Sequence, residues 1–321
     1  MISAGSSTHS MQDIWETWGT SLWRHFAAAA LIASTAACGG SNGNRDASPM
    51  AGAADGGVVG TDVSIANPSA PRPTLPGSTG PCPTFKAATL KFSPGGEART
   101  ARVWMDEQAV KAHDGPVVFY WHGTFSSPDE AEKGLGEAGI AAITAMGGIV
   151  VGAVATNPGL FPWLTETDKT FALVDEIVAC AEKEIGIDER HIHSVGMSAG
   201  GLFTSALSLA RPSLFASVAV YSGGADEMMA GANTNKFSAM VFFGGESDNV
   251  FGKDFKMSSE AYARTLRAGG HFVLLCDHNT GHNLPPGREA AVVPFFLAHG
   301  YGEASPYRSG VPAGVPGYCT R

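Results

Sequence analysis

Short apolar runs alternate with longer amphipathic stretches from about residue 82 onward. The apolar runs are bounded by Gly, Pro, Asn, Asp and Ser, a pattern that predicts buried strands separated by turns. The eight predicted strands are Ala88–Phe92, Thr100–Trp104, Val117–Trp121, Ile149–Val154, His191–Val195, Ser217–Tyr221, Ala239–Phe243 and Phe272–Cys276.

Helical patterns lie between these runs. Asp168–Lys183 carries apolar residues near a helical period, and Ser127–Glu130 has the form of a capping box with Pro at the first helical position. Further helices are predicted after Gly200, over Ser258–Arg267 and over Arg288–Leu297. Strands that alternate with helices predict a mostly parallel sheet with helices on both faces.

The N-terminal region has the features of an export signal. Arg24 precedes the apolar run Phe26–Ala33, and small residues lead to Cys38. This order resembles a bacterial lipoprotein cleavage box. It predicts a signal peptide over residues 1–37 and lipidation of Cys38 at the outer membrane or cell surface. Ordinary signal cleavage, giving a periplasmic or extracellular protein, and a buried N-terminal helix are the alternatives.

Residues 38–80 are rich in Gly, Ala, Ser, Asn, Asp and Pro, which predicts a flexible tether. Residues 81–321 then form one catalytic domain. The chain is 44% hydrophobic and 16% charged, with a net charge of −9. This composition suits one α/β domain and lacks the basic surface that nucleic-acid binding requires. Contact with a membrane is expected only through the lipid anchor.

Four cysteines lie in the predicted domain: Cys82, Cys180, Cys276 and Cys319. An even number suits disulfide formation in an oxidising compartment. Three connectivities are open. Buried thiols are the alternative, above all for Cys180, which lies in an apolar helical stretch.

The hexapeptide Gly196–Gly201 places Ser198 directly after a predicted strand and before a helix. A serine at such a turn is the nucleophile elbow of the α/β-hydrolase fold, and its glycines permit the tight backbone. The sequence therefore predicts this fold: an eight-stranded, mostly parallel sheet with the nucleophile after the fifth strand.

In that fold the acid and the histidine follow the nucleophile along the chain. Asp248 lies after the seventh strand, with Glu246 as the alternative acid. His282 lies after the eighth strand, with His278 as the alternative base. Ser198, Asp248 and His282 are the predicted catalytic triad.

The oxyanion hole is expected from the loop after the third strand and from the residue after the nucleophile. These positions give the backbone N–H groups of Thr124 and Ala199, with His122 holding the loop. His191 and His193 alternate on one strand without an evident third ligand, so no metal and no cofactor are predicted.

Several segments together resemble bacterial polyhydroxybutyrate depolymerases and feruloyl esterase-like α/β-hydrolases. They are Trp121–Thr124, Phe161–Trp163, Ile187–Ile192, the elbow, Gly244–Val250 and Gly281–His282. The resemblance implies a secreted serine esterase acting on hydroxyalkanoate polyesters or oligomers, or on feruloyl or acetyl esters of polysaccharides. Trp163 is a candidate wall of the acyl or aryl pocket, with core packing as the alternative.

The segment from Ser222 to Lys236 is too short for a helical lid domain. An open site is therefore expected, which suits a bulky or polymeric ester. Two alternatives remain: a serine peptidase of the same fold, and a catalytically inactive surface module that binds polymer.

Overall fold

The computed structural model describes residues 71–157, 159–225 and 235–321. The predicted signal peptide, the lipidation site at Cys38 and the tether up to residue 70 lie outside the described residues. Within the described ranges, no helix is long and apolar enough to cross a membrane.

A nine-stranded sheet runs through the described part of the chain in the order β1-β2-β4-β3-β5-β6-β7-β10-β11. Its strands are β1 Thr89–Phe92, β2 Arg99–Met105, β3 Val117–Trp121, β4 Ile149–Ala153, β5 Ile192–Met197, β6 Ser217–Tyr221, β7 Ser238–Phe243, β10 Phe272–Asp277 and β11 Cys319–Thr320. The strands from β4 to β10 pair in parallel, whereas β1, β2 and β11 pair antiparallel with their neighbours. This order confirms the predicted fold class. The sheet has one strand more than predicted, because β11 pairs with β10 at the edge.

The helices are α1 Glu130–Gly134, α2 Glu137–Ala145, α3 Thr167–Ile185, α4 Ala199–Ala210, α5 Phe255–Ala268 and α6 Arg288–Leu297. They cover both faces of the sheet. Alternate residues of β3 point to opposite faces, and residues on each face contact a helix. Tyr120 belongs to a core cluster with residues of α1, α2 and α6. Trp121 instead packs on Phe203 of α4. The central strands are therefore apolar on both faces, as a covered parallel sheet requires.

The capping-box prediction is wrong in its details. Helix α1 begins at Glu130, no side chain caps it, and it ends after five residues at Gly134. Gly136 then adopts φ 75°, and α2 starts in a new direction. Glu130, at the first position of α1, directs its carboxylate to Tyr120 and Gly123 outside the helix.

Two disulfides join the four cysteines, Cys82 to Cys180 and Cys276 to Cys319. The disulfide prediction is therefore confirmed, and the alternative of a buried thiol at Cys180 is wrong. Cys82 and Cys180 fasten the segment before β1 to the middle of α3. Cys276 and Cys319 are directly opposed partners in the β10–β11 ladder, so this disulfide holds the last strand to the sheet.

Candidate active site

Ser198 occupies the sharp turn between β5 and α4. Its backbone has φ 56° and ψ −117°, a conformation that L-residues rarely adopt and that marks stored strain. The Ser198 N–H donates to the carbonyl of Tyr221 at the end of β6, over 2.9 Å. This bond fastens the turn to the neighbouring strand and holds the serine above the carboxyl edge of the sheet.

The glycines around Ser198 are required by close backbone packing. A Cβ on Gly200 would lie 1.8 Å from the carbonyl oxygen of Trp121, and a Cβ on Gly196 would lie 2.4 Å from that of Gly200. Neither distance is compatible with a side chain. The elbow sequence is thus explained by the contact between α4 and the end of β3.

His282 and Asp248 lie next to Ser198 although they are distant in sequence. His282 Nε2 is 2.9 Å from Ser198 Oγ, and His282 Nδ1 is 2.7 Å from Asp248 Oδ1. The Asp248 side chain is fully buried, whereas that of His282 is 16% exposed. The structure thus brings together all three residues of the predicted triad, in hydrogen-bonding order.

The Asp248 carboxylate is satisfied on both oxygens. Its Oδ2 accepts hydrogen bonds of 2.8 Å from the Ser222 hydroxyl and from the Gly244 N–H. Burial raises the pKa of Asp248, but the hydrogen bonds from His282, Gly244 and Ser222 outweigh it and lower the pKa below its ordinary value. The group is therefore held as a carboxylate at neutral pH.

The two alternative residues lie in other environments. Glu246 is exposed and forms an ion pair with Lys256. His278 is buried, its Nδ1 lies 2.6 Å from Thr280 Oγ1, and burial lowers its pKa. The geometry therefore favours Asp248 and His282 over both alternatives.

A two-stranded hairpin follows Asp248 along the chain, and the residue after it contacts His282. It consists of β8 Asn249–Val250 and β9 Lys253–Asp254. The next residue, Phe255, donates its N–H to the Asp248 carbonyl over 2.9 Å. The Phe255 ring lies 4.5 Å from the His282 ring, centroid to centroid. Phe255 thus packs against the face of the imidazole and limits its rotation.

Thr124 and Ala199 line the cleft beside Ser198. Within the described part of the chain, neither of their backbone N–H groups donates a hydrogen bond to a protein acceptor. The Thr124 side chain instead donates to the Leu160 carbonyl over 2.5 Å, which ties its loop to the segment after β4. Two unpaired N–H groups next to a serine are what an oxyanion hole needs.

Glu130 supports the Thr124 loop, a role that the sequence pattern did not indicate. Its Oε1 accepts hydrogen bonds of 3.1 Å from the Tyr120 hydroxyl and from the Gly123 N–H, and its Oε2 lies 3.3 Å from the same Gly123 nitrogen. Burial, followed by the nearby Glu130 charge, raises the pKa of Tyr120 well above its ordinary value. Tyr120 therefore stays protonated and donates.

Trp163 and His122 support the same loop from its buried side. Trp163 is fully buried, and its indole N–H donates to the His122 carbonyl over 2.8 Å. The structure thus corrects the pocket-wall interpretation of Trp163: the side chain lies in the core and does not reach the cleft. His122 is also buried, its Nδ1 contacts the Gly123 carbonyl over 2.8 Å, and burial lowers its pKa, in keeping with a loop-holding role.

The cleft at Ser198 is small and mostly apolar. Its lining residues are Thr124, Phe161, Ser198, Ala199, Leu202, Val250, Phe251, Lys253 and Phe255. A larger cavity lies between the segment before β3 and the end of α3, lined in part by Phe85, His113 and Lys183. It shares no lining residue with the cleft, and no Ser or Cys side chain of the described residues lines it.

Among the described residues, no group of three or more His, Cys, Asp or Glu side chains is arranged to hold a metal ion. His191 is bound to Asp188 over 2.7 Å. His193 is fully buried between strands, 2.9 Å from Ser217 Oγ, and stacks on Phe296. Both histidines have local partners in the core.

The strand order and the elbow define an α/β-hydrolase fold. Comparison with solved structures agrees: native pOPH matches with a TM-score of 0.62 at 18% identity, over 75% of this chain and 96% of that chain. Native sOPH matches with a TM-score of 0.58 at 16% identity, over 75% and 96%. The complex of a pOPH variant with pNPB matches with a TM-score of 0.59 at 17% identity, over 75% and 95%.

No protein-family model matches the chain, and no curated protein matches its sequence. At such low identity the structural likeness establishes the fold alone. The assignment of an activity depends on the residues at the site. Residues 226–234 of the predicted short crossover after β6 lie outside the described residues, so the expectation of an open, lidless site stays a prediction.

Proposed function

We propose that this protein is a serine hydrolase of carboxylic esters. The observation that carries the proposal is the hydrogen-bonded chain from Ser198 Oγ through His282 to a fully buried Asp248, next to two unpaired backbone N–H groups. A serine hydroxyl becomes a competent nucleophile when an adjacent base removes its proton. A nucleophile, a base, an acid and two free backbone donors close to one another support acyl transfer as the chemistry of this site.

In the proposed mechanism, Ser198 Oγ attacks the ester carbonyl carbon while His282 Nε2 takes the hydroxyl proton. The resulting oxyanion accepts hydrogen bonds from the N–H groups of Thr124 and Ala199. His282 then gives its proton to the departing alcohol, which leaves an acyl-enzyme. Water, activated by the same imidazole, releases the acid. Asp248 holds the imidazole and stabilises its protonated form.

The substrate class follows from the cleft and from the resemblance. Apolar side chains form most of the lining. Among them, Phe161, Leu202 and Phe251 are suited to contact a hydrocarbon or aryl group of a substrate. The segments shared with polyhydroxybutyrate depolymerases and feruloyl esterase-like proteins favour a polyester or oligomer, or a feruloyl or acetyl polysaccharide ester. Among the solved relatives, the pOPH variant was complexed with pNPB.

Two features bear on where the protein acts. Disulfides persist in oxidising compartments, and the two disulfides of this chain fit an extracellular or periplasmic protein. Export by a signal peptide and attachment through a lipid on Cys38 are part of the proposal. Palmitate labelling of the wild type and of Cys38→Ser in a bacterial host would test the anchor.

The rival functions are a peptidase of the same fold and an inactive polymer-binding module. We expect the full chain to hydrolyse p-nitrophenyl acetate, p-nitrophenyl butyrate or methyl ferulate, and Ser198→Ala to abolish turnover with little change in Tm. Ser213→Ala, at an exposed serine outside the cleft, is the matched control. Equal inactivity of wild type and Ser198→Ala, with no labelling of Ser198 by a fluorophosphonate, would overturn the proposal in favour of the binding module.

A further inference from the structure

Among the described residues, non-glycine residues with positive φ lie on loops around the cleft. In the described part of the chain, the non-glycine residues with positive φ are Phe125, Ser198, Ser222, Phe251 and Asn279. Ser198 and Ser222 belong to the triad network, and Asn279 lies on the loop that carries His282. Phe125 and Phe251 have no part in that network, so their strain requires another explanation.

Both phenylalanines occupy turn positions that normally hold Gly or Asn. Phe125, with φ 59°, is the third residue of the turn Gly123–Ser126, which is closed by a Ser126 N–H bond to the Gly123 carbonyl. Phe251, with φ 53°, is the first loop residue of the β8–β9 hairpin, followed by Gly252 with φ 75°. Hairpins with two positive φ values strongly prefer Asn-Gly.

Burial does not compensate for this strain. Phe125 is 73% exposed and Phe251 is 50% exposed, and both belong to the small set of large apolar side chains that face solvent. A bulky residue at positive φ costs of order 1 kcal/mol or more. Side chains as exposed as these recover little of that cost by burial in the folded protein, and a bound molecule that covered them would supply the missing burial.

The two phenylalanines belong to two different loops, each of which contributes a residue to the lining of the cleft. Phe251 lines the cleft directly, at the tip of the hairpin that follows Asp248. Phe125 directly follows Thr124, which lines the cleft on the oxyanion side. Ser198 lines the same cleft, so a substrate chain bound along these two loops would pass next to Ser198 Oγ.

We propose that Phe125 and Phe251 form an aromatic rim that binds the apolar part of the ester substrate beyond the reacting carbonyl. This inference rests on the proposed function and narrows it to esters with an extended hydrocarbon or aromatic part. Aromatic side chains suit this task because they bury a large area with few rotatable bonds. The rim therefore contributes to substrate affinity and leaves the chemistry at Ser198 unchanged.

The test compares the full chain with the double variant Phe125→Asn/Phe251→Asn on two esters. Methyl acetate is too small to reach the rim, whereas p-nitrophenyl hexanoate is extended and apolar. We expect kcat/KM for the hexanoate to fall about tenfold through a higher KM, and that for methyl acetate to stay within twofold. Because Asn suits both turns, Tm should rise by at least about 2 °C.

Two further variants separate the ring from its surroundings. Phe251→Tyr keeps the ring and the strain, so its loss of kcat/KM on the hexanoate should be much smaller than that of the double variant, and its Tm should not rise. Met146→Asn removes an exposed apolar side chain at the opposite edge of the sheet, between α2 and the start of β4, and should change neither substrate's kinetics. An equal loss of activity on both esters in the double variant, no loss on the hexanoate, or a lower Tm would overturn the proposal.

Failure of the proposed function gives a different result. If the wild type hydrolyses neither ester, calorimetry can measure the binding of p-nitrophenyl hexanoate to Ser198→Ala. This measurement tests whether the rim binds the ester without requiring turnover. Adding the two Asn substitutions to Ser198→Ala should raise Kd about tenfold. An unchanged Kd would show that the rings do not contact the ester.

Discussion

The Ser222 hydroxyl donates a 2.8 Å hydrogen bond to Asp248 Oδ2, while Oδ1 of the same carboxylate lies 2.7 Å from His282 Nδ1. Ser222 directly follows β6 and adopts φ 44°, and Asp248 follows β7. Because parallel strands end at the same edge, the residue after one strand reaches the loop after the next. Ser222 thereby fixes the rotation of the carboxylate that faces His282.

Ser222→Ala removes this hydroxyl, and alanine has a preference for backbone φ and ψ angles similar to that of serine. Asp248 Oδ2 then keeps only the Gly244 N–H, and a hydrogen bond to a charged group is worth about 1.5–3 kcal/mol. We expect Tm at pH 7 to fall by several degrees and turnover to fall about tenfold. Thermal scans and steady-state kinetics beside Ser309→Ala, at an exposed serine, would check this. Unchanged values for both quantities would show that Ser222 is dispensable.

Acid pH should destabilise the fold through Asp248. Its folded pKa is lowered, so its contribution to stability is present above the unfolded pKa of about 4 and is lost as pH falls through the folded pKa. Asp248→Asn should therefore lower the free energy of unfolding at pH 7 and flatten its fall below pH 4. It should also reduce turnover by about 10⁴. Urea titrations between pH 2 and 7 measure the slope, and a variant as acid-sensitive as the wild type would contradict this account.

Glu130→Gln tests the support of the oxyanion loop. The substitution places an NH₂ group at the Oε2 position, 3.3 Å from the Gly123 nitrogen, so that two donors face each other. We expect the loop to shift and kcat to fall about tenfold, with KM changed by less than twofold. Glu132→Gln, on the same helix but bonded to Arg102 and Trp104, is the control. Equal kcat values for the two variants would show that Glu130 does not support the oxyanion loop.

Gly200→Ala should prevent correct folding of the elbow. The added Cβ would meet the Trp121 carbonyl oxygen at 1.8 Å, a backbone atom that cannot rotate away. We expect a loss of stability above about 4 kcal/mol and no turnover. Gly77→Ala is the control, because a Cβ there has no heavy atom within 4 Å. A folded and active Gly200→Ala protein would show that the turn is less tightly packed than described.

The sequence pattern was sufficient for the sheet and for the order of the site residues. Val117–Trp121 and Ser217–Tyr221 form strands with the predicted bounds, because continuous β-branched and aromatic runs are read directly from the chain. The positions of Asp248 and His282 after their strands follow from topology. Local pattern and topology therefore predicted which loops meet at the carboxyl edge.

What the pattern did not predict depends on contacts between distant residues. The short strand β11 carries almost no periodicity of its own, and only its disulfide and register with β10 define it. Trp163 is in the core and not in the wall of the cleft. Glu130, predicted as part of a capping box, instead binds the Gly123 N–H and holds a loop. The positive φ values of Phe125 and Phe251 could not be predicted from the sequence, because phenylalanine is not a residue that usually marks a turn of this kind.

The Cys276–Cys319 disulfide has a consequence for the reduced protein. The last strand pairs with Leu275 and Cys276 of β10, and without it the backbone groups of these two residues on that side would lose their partners. An open apolar edge of that kind pairs readily with another chain. Reduction of this disulfide would therefore remove the covalent link that holds β11 against β10 and keeps other chains from pairing there.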